Sequence, residues 1–301
     1  VSVGEWQREV ADGDGGEAVR LDSQLRDFDW AVLPEGAVRE TFRAPSGALA
    51  MFSLGDPRNP RVVLVPGATG SKEDFTLLAP LLAAGGFYVQ SFDLAGQFES
   101  ADAGPGSRGR YDYPLFVRDL TAFLESGPAA HLLGYSFAGI VAQIVAVDRP
   151  ELCLSLTLLT TPPDTGQSFR SVRVVGWLSW FTTARVAAGL MIWGIVTNKN
   201  KVLPRRLEFV RSRFSLTRRS SVNDIMRLMK HAPDLRSSVR SLPIPKLAAV
   251  GNHDLWPTAR HARYAEAIGA RLAVYQTGHS PCETAPHQLA RDMLQLFRDA
   301  H

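Results

Sequence analysis

Cysteine is nearly absent: Cys153 and Cys282 are the two thiols of a 301-residue chain. That is too few for a disulfide framework or a cysteine-based metal cluster, and two reduced thiols are expected. The opening stretch VSVGEWQREVADGDGGEAVR has acidic residues where a secretory leader would have an apolar segment, so a cytoplasmic location is expected. Residues 165–240 contain no tyrosine and few acids: Glu208, Asp224 and Asp234 stand against 15 lysines and arginines. That segment carries +12, leaving −9 for the remainder of a chain whose total is +3. Such a division marks an inserted subdomain with its own role. No nucleic-acid motif accompanies the charge, so no nucleic-acid partner is expected. A solvated helix face would explain it, and so would attraction of an anionic substrate or surface.

The apolar content is ample, at 45% of residues, for a large α/β core. After a polar, glycine-containing arm over residues 1–36, expected to be loosely held, short apolar runs alternate with helical patterns from ETFRAPSGALAMFSL onward. RVVLVPG (61–67), GFYVQSFD (86–93), HLLGYS (131–136), LSLTLLTT (154–161), PKLAAVG (245–251) and RLAVYQT (271–277) read as strands buried on both faces. The stretches between them, such as YPLFVRDLTAFLES and TARHARYAEAIG, place apolar residues at three- and four-residue spacing. The pattern predicts a mostly parallel sheet covered by helices on both faces.

Ser136, in HLLGYSFAGIVAQ, sits where a predicted strand meets a predicted helix. In that context a Gly-x-Ser-x-small pattern makes a nucleophile elbow, with Gly134 and Ala138 as its small residues. A serine hydroxyl needs a base, and the base needs an orienting acid. Asp254 lies just beyond the predicted strand PKLAAVG, and His279 just beyond RLAVYQT. The chain order is therefore serine, aspartate, histidine, each at a strand's carboxyl end. Asp164 is a competing acid. His253 reads as a loop histidine and His131 as structural, and Glu283 and His287 as surface residues of the last helix.

These residues resemble a capped serine hydrolase of the α/β-hydrolase superfamily, over roughly residues 38–164 and 241–300. The resemblance implies an α/β-hydrolase core over 37–164 and 241–301 and a helical cap over 165–240, with Ser136, Asp254 and His279 catalytic. VPGATGSKEDF resembles the family's loop after the third strand, with Pro66 where histidine is usual, and implies an oxyanion hole from the Ala68 and Phe137 N–H groups. DLAGQFES resembles the family's Asp-x-x-Gly-x-Gly-x-Ser loop, with Phe98 at the second glycine and Asp93 structural.

The cap begins with a long apolar stretch, VRVVGWLSWFTTARVAAGLMIWGIV (172–196). Cap helices lining an apolar pocket are expected from its spacing, rather than a membrane span, although contact with a membrane interface remains open. Trp177, Trp180, Phe181, Met191 and Trp193 are the candidate pocket residues. A cap without tyrosine, and serine rather than aspartate at the elbow, disfavour epoxide hydrolysis and dehalogenation; the shortage of cap acids disfavours a proline iminopeptidase-like enzyme. The expected reaction is hydrolysis of a carboxylic ester with an apolar acyl or alcohol part, through an acyl-enzyme and without metal or organic cofactor. The alternative is a carbon–carbon bond hydrolase or thioesterase whose small anionic substrate the cap arginines hold.

Overall fold

A computed structural model describes residues 14–106, 109–166, 168 and 203–300. The chain opens with α1 (Asp14–Ser23), then forms a hairpin, β1 (Val38–Ala44) and β2 (Gly47–Leu54), closed by an Ala44–Gly47 pair. Next come β3 (Arg61–Val65), a short 3₁₀ turn (Lys72–Phe75), α2 (Leu78–Ala84), β4 (Tyr88–Phe92) and a second 3₁₀ turn (Phe98–Ser100). α3 (Tyr113–Glu125) starts where the Asp112 carboxylate accepts the Leu115 N–H at 2.9 Å, with proline in its first turn. β5 (Ala130–Tyr135), α4 (Phe137–Asp148) and β6 (Cys153–Leu159) follow. Three described helices, α5 (Pro204–Leu216), α6 (Arg219–Met229) and α7 (Arg236–Ser241), precede β7 (Lys246–Gly251). α8 (Thr258–Ile268), ended by Gly269 at φ 67°, leads to β8 (Arg271–Tyr275), α9 (Pro281–Thr284) and α10 (Pro286–Arg298).

The eight strands make one sheet in the order β1-β2-β4-β3-β5-β6-β7-β8. β1, β2 and β4 pair antiparallel, and every pairing from β4 through β3 to β8 is parallel. The sheet is thus mostly parallel, as the alternating pattern predicts. Successive residues of β5 serve opposite faces: Leu132 packs with Phe92, Phe123 and Val141, while Leu133 packs with Phe75, Leu82 and Met293. β3, β5 and β7 are buried throughout. β8 differs from the both-faces-buried expectation, with Val274 42% exposed. It ends the sheet and has a neighbour on one side only.

The arm is not loose over its described part. Asp22 of α1 accepts the backbone N–H groups of His287 (2.9 Å) and Gln288 (3.2 Å) and the His287 Nδ1–H (2.8 Å). It caps the first turn of α10 from outside that helix, where unpaired N–H groups and partial positive charge favour a carboxylate. Trp30 is buried against Phe98 and Phe209. His287 is accordingly not a free surface residue. Glu283, also read as surface, belongs to α9 and is paired with Arg206 of the insertion. Among the described residues no helix is long and apolar enough to cross a membrane. The stretch 172–196 lies outside them, and with it Trp177, Trp180, Phe181, Met191 and Trp193.

Candidate active site

Ser136 occupies the single residue between β5 and α4, at φ 51° and ψ −116°. A non-glycine residue in this region is strained, and the surrounding bonds must hold it there. The Ser136 N–H donates to Leu159 O (2.8 Å), and its carbonyl accepts from the Gly139 N–H (3.0 Å). A Cβ on Gly134 would lie 2.6 Å from the Ala138 carbonyl oxygen, and one on Gly139 would lie 1.9 Å from Thr161 Oγ1. The need for a side chain of hydrogen alone therefore falls on positions 134 and 139. The Ala138 methyl is accommodated, fully buried.

The other two predicted residues arrive from the strands beyond. Asp254 lies in the loop after β7, and His279 in the loop after β8. His279 Nε2 lies 3.1 Å from Ser136 Oγ, and His279 Nδ1 lies 2.5 Å from Asp254 Oδ1. The His279 carbonyl accepts from Thr160 Oγ1 at 3.0 Å, which ties its loop to the end of β6. Trp256 and Tyr135 flank the imidazole, with ring centroids 5.9 and 5.5 Å away. The Asp254 side chain is 0% exposed. Burial pushes its carboxyl up, and hydrogen bonds from His261 and His279 more than offset this, leaving it at about 2.

Asp164, the competing acid, accepts instead from Arg260 at 3.2 Å. His253 is an exposed loop residue. His131 is buried, with Nδ1 2.9 Å from Ser155 Oγ and its ring stacked 4.0 Å from Phe297. Both agree with their readings as a loop histidine and a structural one.

Sequence reasoning missed His261. Its Nε2 lies 2.7 Å from Asp254 Oδ2, so one carboxylate is held between two imidazoles. The available signal was position: His261, Tyr264, Ala265 and Ile268 form the buried stripe of α8, and a histidine on an apolar stripe needs a polar partner.

Ala68 lies in the loop after β3, and Phe137 opens α4, where a first-turn N–H has no intrahelical acceptor. A Cβ on Gly67 would come within 3.0 Å of Ser136 Cβ, so this loop passes close to the serine. The loop is held from the side of the insertion. Gln97 Oε1 accepts the Thr69 N–H (2.9 Å), and Gln97 Nε2 donates to Ser221 Oγ of α6 (2.6 Å). Phe98, at the expected glycine position, keeps a positive φ of 39°, and its N–H donates to Thr217 Oγ1 at 3.1 Å. Asp93 is fully buried and accepts the Lys72 backbone N–H (2.7 Å) and Nζ (3.1 Å). Burial and neighbouring Glu73 push its carboxyl up to about 7 against the pull of Lys72.

Several basic residues of the insertion already face the chain's own acids. Arg206 donates to Asp74 (2.8 Å) and Glu283 (2.9 Å), Arg213 donates to Asp74 (2.5 Å), and Arg218 donates to Asp102 (2.6 Å). Arg227 and Arg236 pair with Asp224 and Asp234.

A family model described as "Alpha/beta hydrolase family" matches residues 62–292. The chain belongs to that family. Among curated proteins it is similar to a rhodomycin D methylesterase of Streptomyces peucetius, at 29% identity over 115 residues, 35% of this chain and 36% of the relative. The alignment thus spans about a third of that protein. Among solved structures, an epoxide hydrolase of Vigna radiata superposes with a TM-score of 0.70 at 16% identity, covering 88% of this chain and 99% of the other. A meta-cleavage product hydrolase of Pseudomonas fluorescens does so at 0.68 and 17%, covering 87% and 98%. At such identities the likeness establishes the α/β-hydrolase fold, and a fold shared by such different reactions selects none of them.

Proposed function

We propose that the chain is a serine esterase that cleaves a carboxylic ester with an apolar acyl or alcohol part through an acyl-enzyme. The observation that carries this reading is the continuous hydrogen-bonded chain from Ser136 Oγ through His279 to Asp254. Ser136 Oγ attacks the ester carbonyl carbon while His279 Nε2 takes its proton. Asp254 holds the resulting imidazolium, and the Ala68 and Phe137 N–H groups receive the developing oxyanion. His279 returns the proton to the departing alcohol, leaving the acyl group on Ser136. Water, deprotonated by His279, then attacks the acyl carbon, and His279 passes that proton to Ser136 Oγ as the carboxylic acid is released.

Serine at the elbow supports an acyl-enzyme over the carboxylate chemistry of epoxide opening. The rhodomycin D methylesterase is a relative whose name describes an ester substrate. Occupation of Arg206, Arg213, Arg218, Arg227 and Arg236 by acids of the chain weighs against these arginines holding an anionic thioester or carbon–carbon substrate.

The test is fluorophosphonate labelling read by intact mass and peptide mapping, alongside p-nitrophenyl ester turnover. One adduct on Ser136, absent in His279→Ala, with kcat falling about 10⁴-fold or more in Ser136→Ala, is expected. A folded Ser136→Ala variant that turns over esters at the wild-type rate overturns the reading.

A further inference from the structure

We infer that His261 is a positioning residue of the active site: its Nε2–H holds the second oxygen of Asp254 and so sets the carboxylate against which His279 is oriented. This rests on the reading of Ser136, His279 and Asp254 as a hydrolytic triad. A carboxylate turns easily about its Cβ–Cγ bond, whose torsion is broad and two-fold, so contacts on one oxygen do not fix its plane. In this site both oxygens are engaged. Oδ1 accepts from His279 Nδ1 and from the Leu255 N–H (2.7 Å), and Oδ2 accepts from His261 Nε2 (2.7 Å).

The arrangement also selects protonation states. An ionised carboxylate can only accept, so these contacts place a hydrogen on Nε2 of His261 and on Nδ1 of His279. His279 Nε2 is then left with its lone pair toward Ser136 Oγ, the form a general base requires. A proton on Asp254 would reverse the order: its O–H would donate to His279 Nδ1, and the imidazole hydrogen would sit on Nε2. With the Asp254 side chain out of solvent, no bulk water replaces a donor removed from Oδ2.

His261 stands on a rigid support. Tyr264, on the same buried stripe of α8, donates from its hydroxyl to Gln143 Oε1 (2.5 Å), and Gln143 Nε2 donates to the Gly139 carbonyl (3.0 Å). The helix bearing His261 is thereby joined to α4, which begins directly after Ser136. The Trp256 ring packs edge-on to His261 at 6.3 Å and beside His279 at 5.9 Å, filling the space around the pair. Trp256 is itself held by a 2.6 Å bond from Nε1 to the Ser168 carbonyl.

The experiment compares His261→Met, which removes the donor, with His261→Gln, whose amide N–H can still reach Oδ2. Both are checked for folding by thermal melt, then assayed for p-nitrophenyl ester turnover and for the rate of fluorophosphonate attachment to Ser136. Expected for His261→Met are a fall in kcat of about tenfold or more at unchanged KM and a parallel fall in labelling rate. His261→Gln is expected to stay within about threefold of wild type on both counts, because it keeps the donor. Wild-type kcat in folded His261→Met overturns the inference, and so does an equal fall in His261→Gln, which would assign the effect to packing. If His261→Met does not fold, His261→Asn, too short to reach Oδ2, carries the same comparison. Failure of the wild-type protein to label at Ser136 would remove the triad reading and this inference with it, whereas normal labelling insensitive to His261 removes this inference alone.

Discussion

Arg206 of the insertion and Asp74 of the 3₁₀ turn after β3 meet at 2.8 Å, with side chains only 6% and 2% exposed. Glu283, just beyond His279 in the chain, accepts from Nε and Nη2 of the same guanidinium. One cationic side chain thus ties the insertion to the 3₁₀ turn after β3 and to α9, the short helix just past His279. Burial pushes the Asp74 carboxyl up, and Arg213 and Arg206 more than offset it, so it lies below the usual carboxylate range.

Removing one partner leaves buried charge uncompensated. Arg206→Met is expected to destabilise the fold by about 3–5 kcal/mol, read as a lower urea midpoint at unchanged slope. Because Asp74 titrates lower when folded than when unfolded, its contribution is complete above about pH 4 and is lost as pH falls below that range. Asp74→Asn is therefore expected to flatten the acid side of the stability profile.

Gln97 connects the Thr69 N–H to Ser221 and is fully buried. Gln97→Leu keeps much of the side-chain volume but removes the acceptor of the buried Thr69 N–H, while Ser221 Oγ keeps its bond to the Ala95 carbonyl (3.2 Å), at a cost of about 1–3 kcal/mol. Under the proposed oxyanion role of Ala68, kcat is expected to drop about tenfold or more while KM stays constant. Steady-state kinetics on a folded variant checks this.

Two glycine replacements should have opposite signs. In Gly139→Ala the new methyl would meet Thr161 Oγ1 at 1.9 Å, so the helix must move away from β6. A loss of about 1–3 kcal/mol, together with reduced labelling of Ser136, is expected. Gly16, inside α1, has no atom within 4 Å of the point where a Cβ would stand, and Gly16→Ala is expected to raise stability by about 0.5–1 kcal/mol. Thermal melts of the two variants give both answers.

The Asp254 carboxyl, at about 2, stays ionised through the range in which such an enzyme is assayed. As its folded value is depressed, its contribution to stability is present above the unfolded carboxylate range and lost only as pH falls toward 2. Asp254 is therefore expected to add no second proton to the acid limb of log(kcat/KM) down to about pH 4. A slope of two in that interval would show that Asp254 titrates as well.

Strand positions were readable because six of the runs are apolar and bounded by turns, and a parallel core strand buries both faces. The elbow was readable because a tight strand-to-helix turn admits so few side chains near Ser136. The roles of Glu283 and His287 were not. Their partners, Arg206 and Asp22, lie far away in sequence, and a charged residue near a helix start reads the same whether it faces solvent or a distant ion. The basic insertion was open in the same way, since composition counts charges without showing which acids face them.

By itself the sequence determined the mostly parallel α/β architecture and the serine, aspartate and histidine at the ends of β5, β7 and β8, because periodicity and turn chemistry are local properties. Tertiary structure alone decided that His261 takes the second carboxylate oxygen of Asp254 and that Asp22 caps α10. Each of these is a hydrogen bond between segments brought together by the sheet and its covering helices, and direction and distance at that scale exist only once the chain has folded.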